Sequence, residues 1–281
     1  MNPVDWWNKT HRGRLMIEAF SEPFMRTALA GSCLAGICCG AIGAHVVRRR
    51  MAFLSEALAH ATLPGVALAH IVGIDLQVGG MGAAIFAALA IGAATRSGRV
   101  GEDTAIGIVF SAMLAAGVVI MERAGTRRNL VELLFGSILS VTQSDLWFLL
   151  FGTLLVVGSL AVIHKEIEVT ATDPIHATSI GLSPTLVRQI LLVLIAVTVM
   201  VALRVVGLVL TTALLVTPAA TAGLLVSSTV RVMVVAAILA SACSFVGLLV
   251  SFHFNFPAGA SIVIISAIIF VFMKVFTRPA A

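Results

Sequence analysis

The chain has 281 residues, of which 59% are hydrophobic and 11% are charged. Soluble globular domains carry about 25% charged residues, so this composition excludes an ordinary soluble enzyme, a disordered chain and a fibrous repeat. The mean hydropathy of +1.09 indicates that lipid is the surrounding solvent. Since each spanning helix needs roughly 20 apolar residues, we expect an all-α transmembrane bundle of about eight or nine spans.

The distribution of charge also indicates a membrane protein. The net charge is +5 and the isoelectric point is about 9.6. The positive charges stand in short clusters between apolar runs, as the positive-inside rule predicts, and this pattern argues against a nucleic-acid partner. The four cysteines lie within apolar runs and form no C-x-x-C pair, so they indicate core positions rather than a disulfide framework or a zinc site.

The sequence predicts one membrane domain preceded by a polar tail. Residues 1–26 form the tail, in which Trp6 and Trp7 lie beside basic residues and favour either an interfacial helix or an unstructured segment. Residues 27–281 form a single transmembrane domain. No A-x-A-like cleavage site follows the first apolar run, which should therefore stay in the membrane.

Nine apolar runs have the length of membrane spans. Only Arg204 and Gly207 divide the sixth run from the seventh, so one long broken element, and hence eight spans, is the alternative. Residues 122–143 predict an outer loop with a short amphipathic helix over 131–139, and residues 164–187 form a polar inner connection. The runs cover about residues 27–47, 54–74, 78–95, 103–121, 144–163, 188–206, 208–226, 231–250 and 256–275.

Lysine and arginine positions orient the bundle. The alternate connections that include Arg48–Arg49–Arg50 carry slightly more positive charge than the opposite set. Two connections of the opposite set, Asp75–Gly80 and Ser251–Phe256, carry no positive charge. We therefore expect the side that holds the three arginines to be cytoplasmic. In the first run, Ser32, Gly36, Gly40 and Ala44 form a small-residue stripe that predicts close helix packing.

The second run contains two side chains that suit a metal ion. Glu56 and His60 are four residues apart, which places them on one helix face about 6 Å apart along the axis. A carboxylate and an imidazole suit a divalent first-row cation. Pro64 and Gly65 follow one turn later and should loosen the helix near the same depth. The alternative is a structural Glu–His pair near Arg50 that satisfies itself.

Two further segments each allow a structural and a functional interpretation. In the seventh run, Pro218 should kink a helix whose threonines, Thr217 and Thr221 among them, either satisfy the freed carbonyls or line a polar path. On the inner side, Asp173 as N-cap and Pro174 at the first helical position predict a short helix that Gly181 ends. That helix is either a docking element or an ordinary surface turn.

The sequence contains no G-x-x-x-x-G-K-[ST] motif and no Gly-Lys dipeptide, so a P-loop is missing. If ATP drives this protein, another chain hydrolyses it. An H-E-x-x-H zinc-protease motif is missing as well. The sequence thus carries no recognisable motif of a membrane enzyme.

Five segments, in chain order, resemble the membrane permease of bacterial ABC importers for zinc, manganese and iron(II). The family pattern around the second span is close to R-R-M-x-x-x-x-D-A-L-S-H-A-x-L-P-G, and the other patterns are E-D-T-A-I-G-I, L-F-G-N-I-L, D-P-x-x-A-x-x-x-G-L and L-L-V-x-P-A-A-T-A. This chain departs from the first pattern in two places, with Glu56 for aspartate and Ala59 for serine. The matching segments are residues 49–65, 101–108, 134–139, 173–182 and 214–222.

The resemblance implies a function and a set of partners. It implies that the chain is a permease without catalytic activity in the bacterial plasma membrane, with no permanently bound cofactor and with manganese, zinc or iron(II) as the transported cation. It also implies a second copy of the chain, ATPase subunits and an extracytoplasmic metal-binding protein. Three sets of site residues follow from it: Glu56 and His60 as metal ligands; Pro64, Thr217, Pro218 and Thr221 along the path; and Asp173, Pro174, Ala177 and Gly181 at the ATPase contact.

Two other functions stay open on the residues alone. A proton-coupled secondary metal transporter would use Glu56 and His60 as a proton relay. A structural membrane subunit would carry the same two residues as an inert pair. Uptake that survives ATP depletion but collapses with the proton gradient would favour the first of these alternatives. Full transport by Glu56→Gln and His60→Ala variants would favour the second.

Overall fold

The structure is a computed structural model that describes residues 23–124 and 141–277. These residues are helical, and no strand occurs among them, which confirms the all-α class. The predicted helices near Trp6 and over 131–139 lie outside the described residues. The helices are α1 (Pro23–Arg48), α2 (Ala52–Ala61), α3 (Leu63–Val72), α4 (Leu76–Thr95), α5 (Glu102–Ala124), α6 (Gln143–Thr172), α7 (Pro174–Ser179), α8 (Pro184–Val206), α9 (Leu208–Leu225), α10 (Thr229–Phe254) and α11 (Ala258–Phe276).

Within the described ranges, nine segments are long and apolar enough to cross a membrane. The helices α2 and α3 together make one of these segments, and the six-residue α7 is not among them. The helices α8 and α9 are separate and meet at Gly207, whose φ of 78° lies in the region that favours glycine. The structure therefore supports nine spans over the eight-span alternative.

Three spans form the centre of the bundle. About 72% of the apolar stretch of α1 and of α8 is buried, and 67% of that of α2–α3, whereas only 17% of that of α11 is buried. The helix α1 packs against α10 and α9, and α8 packs against α4 and α6. Peripheral α5, α6 and α11 leave most of their apolar surface exposed, as expected for helices that face lipid.

The small-residue stripe on α1 packs as predicted. A Cβ atom added at Gly40 would lie 2.7 to 2.8 Å from backbone atoms of Ala236 and Ala237 on α10. The Ser244 hydroxyl donates a hydrogen bond of 3.4 Å to the Ser32 carbonyl across the same interface. Close backbone approach of this kind is how small residues join helices in lipid.

Charged side chains collect at the two ends of the bundle. The end that holds Arg48, Arg49 and Arg50 is called the basic end below. At the opposite end, Arg204 of α8 forms a 2.5 Å ion pair with Asp145 of α6 and donates a hydrogen bond to Gln77 of α4. Its guanidinium also lies 5.0 Å from the centre of the Phe148 ring. One arginine therefore ties together three helices at this end.

Replacing Arg204 with leucine should lower the free energy of unfolding by about 2 kcal/mol, because Asp145 would lose its counter-ion in a mostly buried place. The two side chains are 25% and 16% exposed. Thermal unfolding of the purified chain would measure the effect. In a double-mutant cycle, Asp145→Asn should cost less when leucine already stands at position 204. Equal costs in both backgrounds would show that the pair contributes nothing.

Candidate metal-binding face

The second membrane span is interrupted at Thr62, two residues before the predicted position at Pro64, although Thr62 itself keeps α-helical backbone angles (φ −70°, ψ −25°). The helix α2 ends at Ala61 and α3 begins at Leu63, and the Thr62 hydroxyl donates a 2.7 Å hydrogen bond to the Ala59 carbonyl. Pro64 lies in the first turn of α3, a position that tolerates its missing N–H. Its side chain is buried against Gly117 of α5, where an added Cβ would lie 3.2 Å from the proline Cδ. Pro64 thus contributes to the interruption of the helix through its own backbone and its packing against α5. Its role along the transport path stays a prediction.

Glu56 and His60 lie on the same side of α2. The Glu56 side chain is exposed, and no described residue forms a hydrogen bond or an ion pair with it. The His60 ring is half-buried, and its Nδ1 atom is buried without a hydrogen-bond partner. Neither residue pairs with the other or with Arg50. Within the described chain, the Glu56 carboxylate and the His60 Nδ1 atom therefore both remain available to bind a metal ion.

Two aromatic rings flank this pair. The Phe110 ring of α5 meets the His60 ring edge to face, with centroids 5.6 Å apart at 70°. Phe53, one turn before Glu56, meets Phe110 at 5.7 Å and 72°. Phe53 is 45% exposed. We call Phe53, Glu56, His60 and Phe110 the Glu56 face, a largely apolar surface with one carboxylate and one imidazole.

The Glu56 face offers too few ligands for a closed site. Among residues 23–124 and 141–277, no three His, Cys, Asp or Glu side chains lie together in a way that could hold a metal ion. Bound transition metals commonly have four or more ligands. A metal at this face therefore needs further donors from water or from another chain. The helical rise places Glu56 about 6 Å and His60 about 12 Å from the start of α2, so both lie in the first half of the span.

The predicted path residues of α9 are mostly satisfied within their own helix. Pro218 and Thr221 are buried, and Thr217 is half-buried. The Thr221 hydroxyl donates a 2.8 Å hydrogen bond to the Thr217 carbonyl. The helix continues through Pro218 from Leu208 to Leu225. This geometry agrees with the packing interpretation of α9 in the single chain, and a path-lining role for these residues stays a prediction.

The short helix α7 confirms the local chemistry read from the sequence. Asp173 caps it, and its Oδ1 accepts hydrogen bonds from the Ile175 and His176 N–H groups at 3.1 and 2.9 Å. Pro174 takes the first position, Ala177 is buried, and Gly181 follows the helix with a φ of 85°. Ile175 is 82% exposed on the outside of α7. The helix thus presents an apolar side chain at the basic end.

Comparison with known sequences supports a membrane transport function. The sequence profile of the ABC 3 transport family matches residues 21–277. The manganese transport system membrane protein MntC of Listeria innocua is 36% identical over 247 residues, 88% of each chain. The manganese import system permease protein ScaB of Streptococcus gordonii is 34% identical and the alignment covers 88% of this chain and 89% of ScaB. The chelated iron transport system membrane protein YfeD of Yersinia pestis is 35% identical, over 94% of this chain and 89% of YfeD.

Solved structures share the fold. PsaBC from Streptococcus pneumoniae, solved with a Fab, superimposes with a TM-score of 0.82 at 30% identity and covers 95% of this chain and 96% of its own. A metal-chelate type ABC transporter in an inward-facing conformation gives a TM-score of 0.69 at 15% identity, over 92% and 88% of the two chains, and shows the fold alone. The profile match and the identity over most of both chains agree, and the chain belongs to the ABC 3 transport family.

Proposed function

We propose that this chain, a multi-pass permease of the bacterial plasma membrane, imports a divalent transition-metal cation: manganese, zinc or iron(II). The observation that carries the proposal is that the Glu56 carboxylate and the His60 Nδ1 atom have no partner among residues 23–124 and 141–277, and that both side chains lie on the largely apolar Glu56 face. Oxygen and nitrogen donors of this kind suit all three cations, so the ligands do not select one. The relatives are named as membrane proteins of a manganese transport system and of a chelated iron transport system, and these names support the same class of substrate.

A second copy of the chain would complete the site. A charged side chain costs roughly 2.5 to 3.5 kcal/mol at the centre of a spanning helix on insertion scales, and the cost falls toward the ends, where Glu56 lies about one turn into the span. Facing two copies through their Glu56 faces would remove the carboxylates from lipid and bring together two carboxylates and two imidazoles. Such a site would bind the cation transiently, because transport requires binding that is weak enough to release the cation on the other side. No permanently bound cofactor enters this scheme.

Two other partners complete the proposed importer. The chain contains no P-loop, so the proposal assigns ATP hydrolysis to separate ATPase subunits and leaves the permease without catalytic activity. These subunits would dock at α7, where Ile175 is 82% exposed and Ile180, the residue that follows the helix, is 55% exposed. An extracytoplasmic protein would deliver the cation to the opposite end. The basic end is then cytoplasmic, as the charge distribution predicts.

Replacing Ile175 with aspartate should abolish retention of the ATPase subunit, because a charge would enter an apolar contact. Co-purification of the ATPase with a tagged permease measures the effect. Ile74→Asp, a matched change at a 50% exposed isoleucine of the opposite end, should leave the ATPase bound. Retention of the ATPase by Ile175→Asp would exclude α7 as the contact.

Replacing Phe110 with alanine should lower the transport rate severalfold while the chain stays folded, because the His60 ring would lose the surface that holds its orientation. Metal accumulation at equal membrane content is the measurement. Phe110→Tyr should retain transport, since it keeps the ring. Phe86→Ala, at a phenylalanine of α4 that is 62% exposed, is the control for loss of an aromatic ring elsewhere. Equal rates for Phe110→Ala and the native chain would contradict this role.

The proposed function is tested by metal accumulation in cells that carry the complete transport system. Manganese, zinc and iron(II) are offered at equal low concentration, and cell-associated metal is quantified by mass spectrometry. We expect one of them to accumulate with the native ATPase and not with a hydrolysis-deficient ATPase. Accumulation that survives without ATP hydrolysis but collapses with the proton gradient would establish the proton-coupled alternative. Accumulation of none of the three would overturn the proposal.

A further inference from the structure

A basic cavity lies at the basic end, apart from the Glu56 face. Its volume is about 220 Å³, and it lies between the end of α4, the end of α6, the first residue of α7 and the start of α8. Three arginine side chains line it: Arg49, Arg96 and Arg188. The remaining polar lining comes from the neutral side chains Thr95, Thr170, Thr185 and Gln189. We call this space the triple-arginine cavity.

The charges of the triple-arginine cavity are incompletely neutralised. Arg188 is the best paired, since its Nε atom lies 2.9 Å from the Glu102 Oε1 atom and a terminal nitrogen donates to the Thr95 hydroxyl at 2.6 Å. Its buried Nε–H nevertheless has no aligned acceptor among the described residues. Arg49 donates to the neutral carbonyl of Ile167 at 3.1 Å. No described residue pairs with the Arg96 side chain, so one carboxylate serves three guanidinium groups.

Two further features favour an anion at this place. Burial lowers the pKa of the Arg49 guanidinium, Glu102 raises it, and the like charge of Arg188 lowers it. The helix α8 also begins at the cavity with Pro184 and Thr185, so the positive end of its dipole adds to the field of the three arginines. A bound anion would offset the repulsion among these positive groups.

We propose that the triple-arginine cavity binds the phosphate of an anionic phospholipid headgroup. Guanidinium groups match phosphate oxygens in geometry and charge. The cavity is lined by residues at the ends of three membrane spans and at the start of α7, so the proposal places it near the lipid headgroups of one membrane face. Basic pockets between transmembrane helices recognise anionic headgroups in this way. The inference does not depend on which ion the chain transports.

Native mass spectrometry of the purified full-length chain tests the proposal by titration with phosphatidylglycerol or phosphatidylcholine. The first phosphatidylglycerol should bind more tightly than phosphatidylcholine. Arg96→Gln should weaken that binding about fivefold, the usual effect of one basic residue near a membrane surface. Arg99→Gln is the matched control, because Arg99 is exposed on the same connection and does not line the cavity. Arg188→Gln, a second variant inside the cavity, should weaken binding at least as much.

The other results separate the competing anions. Equal affinities of the native chain, Arg96→Gln and Arg99→Gln for phosphatidylglycerol would overturn the proposal. Arg96-dependent binding of inorganic phosphate without binding of phosphatidylglycerol would assign the cavity to a free ion and overturn the lipid assignment. If Arg96→Gln instead releases the ATPase subunit and leaves lipid affinity unchanged, the cavity accepts a carboxylate of that partner, and the lipid proposal is again wrong.

Discussion

Replacing His60 with alanine is expected to reduce metal accumulation about tenfold or more, with the chain still present in the membrane. The imidazole is one of the two metal-binding groups on the Glu56 face, and its Nδ1 atom has no other partner in the described chain. Loss of groups that merely orient a metal ligand already costs about 10- to 100-fold, and loss of the ligand itself should cost no less. Glu56→Gln should have a similar effect, because the amide keeps the shape of the side chain and loses its charge.

Matched variants separate metal binding from folding. His70→Ala removes an exposed imidazole from the last turn of α3 in the same span and should transport normally. Glu56→Asp keeps the carboxylate and installs the residue typical of the resembled family, so it should retain transport. Accumulation is compared by mass spectrometry at equal permease content. Undiminished accumulation by His60→Ala would remove the Glu56 face from the path and leave the family assignment as a statement about fold.

Replacing Gly43 with alanine should prevent the bundle from assembling normally. A Cβ atom at this position of α1 would lie 2.0 Å from the Leu215 carbonyl oxygen of α9 and 3.1 Å from the Ala219 Cβ. The Leu215 carbonyl oxygen is a backbone atom and cannot rotate out of the way as a side chain could. The helix α1 would therefore have to move away from α9. We expect a loss of about 3 kcal/mol in the free energy of unfolding, the upper range for one added methyl group in a packed core.

Gly82 provides the control for this substitution. It also lies within a membrane helix, α4, but a Cβ atom added there meets nothing within 4 Å. Gly82→Ala should therefore match the native melting temperature or exceed it slightly, because alanine favours helix over glycine. Thermal unfolding followed by size-exclusion chromatography compares the variants. A native-like melting temperature for Gly43→Ala would show that α1 and α9 pack less closely than the structure indicates.

Features set by neighbours in the sequence were predictable from the sequence. The helix α7 depends on a capping aspartate, a proline in the first turn and a glycine after the end, all within a few residues. The break in the second span follows from Pro64. The membrane spans follow from runs of apolar residues, although α1 begins at Pro23, ahead of its predicted start at residue 27.

Features built from distant segments could not be predicted. The edge-to-face contact between Phe110 and His60 joins two helices. Nothing in the sequence around Phe110 indicates that its ring contacts His60. The triple-arginine cavity brings together Arg49, Arg96 and Arg188 from three separate parts of the chain. The spacing of Glu56 and His60 placed them on one helix face, but only the packed bundle shows that the carboxylate is exposed and has no partner in the part of the chain that the structure describes.

The single-residue link at Gly207 bears on how the chain is made. It joins α8 and α9 into a hairpin with Arg204 near its tip. With the basic end in the cytoplasm, this tip must cross the bilayer during synthesis, together with its charge. Asp145 precedes Arg204 in the sequence and belongs to a helix that is translated earlier. The order of translation therefore predicts that Asp145 enters the membrane before Arg204, and an ion pair formed at that stage would lower the cost of inserting the arginine.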